Sequence, residues 1–166
     1  MKRKKNIEMT LALALTLAQL LVVAAAAYSG EAKPPAPSPR DKCPVCGMFV
    51  AKYPDFLAEI VFKDGSVVFF DGTKDMFKYY FKLDDYQRSK NRADIVSIYV
   101  TDYYRLTLID GYEAHYVTGS DIYGPMGREL IPFEKADDAK EFLKDHKGTA
   151  IFEFKQIRYD IVKGLD

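Results

Sequence analysis

The chain has 166 residues, 24 basic and 24 acidic side chains, twelve tyrosines, eleven phenylalanines and no tryptophan. A formal charge of zero, with no run of Lys or Arg interleaved with aromatics, argues against nucleic acid as a partner. The abundance of Tyr and Phe favours a sheet-rich core.

The first 27 residues read as an export signal. Lys2, Arg3, Lys4 and Lys5 form a positive start, an apolar run extends from Met9 to Ala27, and Ala25 and Ala27 give a small-x-small cleavage pattern. The run is also just long enough to cross a hydrocarbon layer of about 30 Å, so residues 1–27 are a signal peptide or an uncleaved membrane anchor. In either case the basic flank places everything after Ala27 outside the cytoplasm, in the periplasm. Without the leader's four basic residues and Glu8, residues 28–166 carry a net charge of −3. Residues 28–40, YSGEAKPPAPSPR, have no apolar periodicity and read as an extended, semi-rigid linker. The remainder, 41–166, is long enough for one modest domain or two very small ones sharing a core.

That domain begins with both cysteines of the chain in one hexapeptide, Cys43-Pro-Val-Cys-Gly-Met48. Four readings are open. Outside the cytoplasm a cysteine pair commonly forms a disulfide, although a four-residue loop constrains the unfolded chain little. A structural zinc site wants four N or S ligands, and only His115 and His146 remain to supply them. A thioredoxin-like redox pair should open a helix after a strand, whereas this one precedes the first predicted strand. The fourth reading is a soft-metal site: thiolate with thioether selects Cu(I). Cys46 and Met48, two apart in an extended segment, project to one side, and Gly47 between them permits a sharp bend.

Next, FLAEIVFKDGSVVFF at 56–70 alternates on both sides of Asp64-Gly65, which predicts a β-hairpin. From Thr73, the spacing of Met76, Phe77, Tyr80 and Phe81 predicts an amphipathic helix ending by Asp84, with Asp71 or Thr73 as its cap. A polar loop leads to a third strand from Ile95. The second half repeats the order: AHYVTGSD and MGRELIPF are strand-like, ADDAKEFLKDH is helical, and a strand starts at Thr149. The prediction is an α+β fold of two similar ββαβ units, at about 41–104 and 105–166.

Among the remaining donors, Met126 lies in the turn-prone GPMGREL, where it either supplies a second thioether or fills a gap in the core. Met76 belongs to the core face of the first helix. His115 is a candidate imidazole donor, and His146, before Gly148, fits a helix C-terminus.

The DxCxxCGM start (Asp41, Cys43, Cys46, Gly47, Met48), the segment VFKDGSVVFFDGTKDMFKYY and the later GSDIYGPMGRELIPFEKADDAKEF resemble the NosL family, accessory proteins of nitrous oxide reductase. The likeness runs from about Asp41 to Phe154. It implies two ββαβ units similar to part of organomercurial lyase, and an extracytoplasmic Cu(I)-binding accessory protein or metallochaperone, not an enzyme. Its implied partners are a client copper enzyme of the nitrous oxide reductase kind and a membrane ABC transporter, with the membrane itself if the N-terminal helix is uncleaved. The resemblance carries Cys46 and Met48 over as copper ligands, with Cys43 and Met126 also at motif positions. The chain departs from the family in having no cysteine for lipid attachment after the apolar run. The alternative function is a thiol-disulfide oxidoreductase acting on a copper-site partner through Cys43 and Cys46.

Overall fold

In the computed structural model, which describes residues 35–166, Asp64-Gly65 closes the predicted hairpin between β1 (Ala58–Phe62) and β2 (Val67–Phe70). The strands pair antiparallel from Ala58↔Phe70 to Val61↔Val67. Gly65 takes φ 79° at the turn, and the Asp64 carboxylate accepts from the Ser66 N–H at 3.1 Å. The leader at 1–27 and the linker as far as residue 34 lie outside the described residues. Among the described residues no helix is long and apolar enough to cross a membrane.

Helix α1 (Thr73–Phe81) follows the hairpin, with a short continuation, α2 (Leu83–Tyr86), and the chain returns as β3 (Ile95–Thr101) on the free side of β1. Strand β4 (Leu108–Asp110) extends that edge, so the first sheet runs β2-β1-β3-β4. In the second half, β5 (His115–Thr118) lies between β8 (Ile131–Phe133) and β9 (Ala150–Glu153), with helix α3 (Ala136–Asp145) between those two in sequence. In both halves the first strand is central, the second lies on one side and the post-helix strand on the other. This is the ββαβ order expected from the sequence. The stretch MGRELIPF does not form one strand. It divides into β7 (Gly127–Arg128), which pairs with β6 (Tyr123–Gly124) in a small hairpin of its own, and β8.

The two halves share apolar interior. Ile60, Phe62, Phe70, Phe77, Ile98 and Val100 pack in one cluster with Tyr116, Leu130, Phe154 and Val162. Phe77 at its centre meets the rings of Tyr116 and Phe154 at 5.2 and 5.1 Å. Successive side chains of a strand face opposite ways, so Tyr116 of β5 joins this cluster. Its neighbour Val117 faces a smaller one with Ile131, Phe133, Ala139 and Phe142 beneath α3. A short C-terminal helix, α4 (Tyr159–Lys163), packs against α1.

Helix α1 is consequently buried more fully than one amphipathic face requires. Beyond Met76, Phe77 and Tyr79, its whole first turn, Thr73, Lys74 and Asp75, is 2–3% exposed. Tyr80 and Phe81, expected on the core face, are only half-buried.

Candidate metal centre

The site starts from the backbone of Cys43–Met48. The Cys43 N–H donates to the Met48 carbonyl (2.9 Å) and the Gly47 N–H to the Cys43 carbonyl (2.9 Å), while Lys42 and Phe49 pair as an isolated antiparallel bridge. Gly47 closes this tight loop with φ 79°, in the left-handed region that glycine enters without penalty. The fold turns backbone N–H groups toward sulfur: those of Val45 and Cys46 toward Cys43, and that of Met48 toward Cys46. Such a knuckle favours thiolate, the form in which cysteine binds metal.

Behind the loop lies the first turn of α1. The Cys46 thiol donates to Asp71 (3.1 Å to Oδ1, 3.4 Å to Oδ2) and the Cys43 thiol to Asp75 Oδ2 (3.4 Å). One ligand atom from each of Cys43, Cys46, Asp71 and Asp75 falls within 4.8 Å of the others. Cys43 is 1% exposed, Asp71 1% and Asp75 3%, whereas Cys46 is half-buried and forms the accessible side of the cluster. Both cysteines are free thiols. Burial is the largest influence on each and, with the neighbouring carboxyl groups, outweighs the N–H donors. The Cys43 thiol is driven far above the ordinary range and the Cys46 thiol is pushed up to about 12. Without metal, the site therefore keeps its protons on sulfur at neutral pH.

The two carboxyl groups were not legible as site residues. Asp71 is expected to cap α1; instead the N-cap is Gly72, which offers no side chain, and Asp71 turns to Cys46. Thr73 does not cap either, since its hydroxyl donates to Glu129 Oε1 (2.9 Å) and to the Leu130 carbonyl. The cap comes from the other half of the chain. Glu129 Oε1 accepts from the Lys74 N–H and from its neighbour's, Leu130 (3.0 Å). A Cβ on Gly72 would stand 2.3 Å from Glu129 Oε2, so the glycine makes room for this long-range cap. Burial pushes the Glu129 carboxyl up to about 7. Asp71 stands just before the N-cap Gly72 and Asp75 in the first turn of α1, so their meeting at the two thiols follows from the packing of the knuckle on this helix start and not from helical spacing.

Met48 is half-buried in the knuckle. Met126 is 45% exposed at the turn between β6 and β7, and its carbonyl accepts from the buried Lys74 ammonium at 2.7 Å. The Met126 turn is thereby fastened to the same first turn of α1 that carries Asp75. Met76 is fully buried in the core, as its spacing predicts. His115 stands apart from the cluster: it sits opposite Phe133 and Glu153 in β5, lining a surface cleft with Tyr112, Glu113 and Lys155. Its strand direction, which the sequence does not give, removes it as a third donor. His146 is the C-cap residue of α3, with Nδ1 3.0 Å from Asp121 Oδ1.

Comparison with known proteins agrees with this architecture. A curated relative, the copper-binding lipoprotein NosL of Stutzerimonas stutzeri, is 31% identical over 125 residues, 70% of this chain and 62% of that protein. This chain thus spans under two thirds of that relative's length. The crystal structure of the copper chaperone NosL from Shewanella denitrificans shares the fold, with a TM-score of 0.67 at 23% identity over 77% of this chain and 97% of that one. The solution structure of apo-NosL from Achromobacter cycloclastes aligns with a TM-score of 0.45 at 26% identity, over 63% of this chain and 87% of that one. The NosL family model matches residues 34–162, nearly all of the described chain, and the protein belongs to the NosL family.

Proposed function

We propose that this protein is an extracytoplasmic carrier of Cu(I), taking the ion as cargo on the Cys43–Met48 knuckle and delivering it for maturation of a copper enzyme such as nitrous oxide reductase. The observation that carries the reading is the pair of free thiols, held by one tight loop with N–H groups aimed at sulfur, one buried and one accessible, with a thioether two residues on. Cu(I) is closed-shell and polarizable and accepts two to four sulfur or imidazole donors. Cys46 and Met48 are the principal ligands in this reading, with Cys43 behind them and Met126 as the further thioether. Delivery is a ligand exchange. An incoming donor approaches on the Cys46 side, shares the ion, and Cys46 regains its proton as it leaves. No substrate bond is broken, so the protein acts as a carrier and not an enzyme, working beside a membrane ABC transporter of the maturation system. The copper-binding name of the Stutzerimonas relative supports the cargo assignment.

The oxidoreductase alternative fits less well. A redox nucleophile needs a depressed thiol pKa and exposure, and here both thiols are raised and Cys43 is 1% exposed. A second metal reading has a specific observation behind it. Asp71 and Asp75 complete a set of two thiols and two carboxyls that suits Zn(II), a set not visible in the sequence.

Anaerobic titration of the reduced protein against a graded series of chelators, with Cu(I) and Zn(II) in parallel, tests these readings. Cys46→Ser and Met48→Ala should each weaken Cu(I) retention by roughly tenfold or more, about 1.4 kcal/mol per decade, with Cys43→Ser less damaging. Equal loss with either cysteine and no effect of Met48→Ala would favour the oxidoreductase. Wild-type protein that releases Cu(I) to a weak chelator would falsify the proposal.

A further inference from the structure

We infer that the rim of the Cys46 site, formed by Lys42, Phe49 and Lys52, is the docking face for a protein acceptor that surrounds its own copper-accepting donors with carboxylates. This rests on the Cu(I)-carrier reading and adds the chemistry of the partner.

The rim is built from the residues that bracket the knuckle. Lys42 immediately precedes Cys43 and Phe49 immediately follows Met48. The antiparallel bridge between them, next to the Cys43 N–H bond to Met48, fixes the backbone from which both side chains leave. Phe49 is 38% exposed, and its ring has the Lys42 ammonium 4.8 Å and the Lys52 ammonium 5.6 Å from its centroid. Elsewhere among the described residues Lys78 is engaged by Asp75 and Asp166 and Lys90 by Asp64. Lys90 and Lys82 each lie over one ring, Phe62 and Tyr159; Phe49 is distinguished by having two ammonium groups over one ring. Lys42 and Lys52, both exposed, gather around the same aromatic side chain. Between residues 40 and 52 the charged side chains are Arg40, Lys42 and Lys52 against Asp41, a local surplus of +2 on a domain that is otherwise acidic.

Charge complementarity selects the occupant. Exchange through shared coordination requires the acceptor's donor atoms to reach bonding distance of an ion held by Cys46, so the surface beside Cys46 is buried in any transfer complex. Cu(I) on two thiolates, above Asp71 and Asp75, presents a negative centre that would repel an anionic approach. Two ammonium groups at the edge offset that repulsion. Carried by residues that adjoin the knuckle, they act at short range, whereas physiological salt screens the field of distant lysines beyond about 8 Å. An aromatic ring flanked by cations also provides the desolvated anchor typical of the centre of a protein interface.

The test uses the Cu(I)-loaded protein and a synthetic Cys-Gly-Met peptide carrying one tryptophan and flanked by a run of glutamates, beside the same peptide with glutamines. The protein has no tryptophan, so quenching of the peptide's fluorescence reports transfer alone. Transfer to the glutamate peptide should be faster and slow with added salt. K42E/K52E should cut it by about five- to tenfold, and K42Q/K52Q should fall between. Transfer to the glutamine peptide should change by less than about twofold, and equilibrium Cu(I) affinity should equal wild type in both variants. Equal rates for the two peptides, or equal slowing of both in K42E/K52E, overturns the docking face while leaving the carrier reading standing. Failure of wild type to hold Cu(I) overturns both. Sedimentation of wild type, but not K42E/K52E, with phosphatidylglycerol vesicles would assign the rim to an anionic membrane and overturn the protein-acceptor assignment.

Discussion

The Cys46 thiol is aimed at the Asp71 carboxyl, 3.1 Å from Oδ1. This contact makes Asp71 a discriminator between metals. Asp71→Asn removes the anionic neighbour while leaving burial, the larger influence, in place. The Cys46 pKa should therefore fall by about one unit from about 12 yet remain well above that of a free thiol. Thiolate absorbance across a pH titration checks this. Because the carboxyl is a poor partner for Cu(I), Cu(I) retention at neutral pH should hold or tighten by up to roughly tenfold, whereas Zn(II) retention should drop. Parallel loss of both ions would make Asp71 a ligand for Cu(I) as well and contradict the sulfur-only reading.

Raised thiols also shape the pH dependence of loading. Each thiolate ligand must surrender a proton, so apparent affinity rises with pH until the thiol ionises by itself. With Cys46 at about 12 and Cys43 higher, no plateau should be reached at pH 9, where an ordinary thiol with pKa near 8.5 would already flatten. Chelator competition from pH 6 to 9 should show one to two decades of tightening per pH unit, the steeper limit applying when both thiols are displaced. A curve level above pH 8 would mean that the thiols are not held protonated by burial.

Gly47 is the hinge of the knuckle, and its φ of 79° is separable from crowding because a Cβ there meets nothing within 4 Å. Gly47→Ala should cost about 1–2 kcal/mol through backbone strain alone. It can relieve that strain by opening the loop, moving the Cys46 sulfur away from its N–H donor. The expected outcome is a modest fall in Tm with a larger fall in Cu(I) retention. A fall in Tm with unchanged retention would show that the loop geometry is not what holds the ion.

Much of the fold was legible because its signals are local. Asp64-Gly65 between alternating apolar runs, the spacing of Met76 and Phe77, and the Ala136–Asp145 helix each follow from short-range periodicity, and strand order then repeats with the repeated pattern. The sulfur loop was legible for the same reason, being one hexapeptide. What failed depends on partners distant in sequence. Asp71 looks like a cap because nothing near it reveals Cys46, 25 residues earlier. Glu129 falls within the strand-like MGRELIPF, and nothing near it reveals the uncapped start of α1, 55 residues earlier at Lys74. His115 has a donor's chemistry but a strand direction that carries it elsewhere.

Glu129 supplies the pH dependence of the fold itself. Its carboxyl is 3% exposed, caps α1 in place of Gly72, and titrates at about 7 in the folded protein against an ordinary 4.5. A raised acid binds its proton more tightly in the native state, so the native state is favoured at low pH. The contribution is complete below about pH 4.5, declines as pH rises toward 7, and is lost above it. The full span is about 3 kcal/mol. Glu129→Gln keeps an Oε1 acceptor for Thr73, Lys74 and Leu130 and places an uncharged amide where Oε2 lies beside Gly72 and Gly124. Urea midpoints for wild type should therefore decline between pH 5 and 7.5, while those of Glu129→Gln stay nearly level over that window and exceed wild type at its upper end. If both proteins lose stability in parallel, the dependence belongs to another group and Glu129 caps the helix as an ordinary carboxylate.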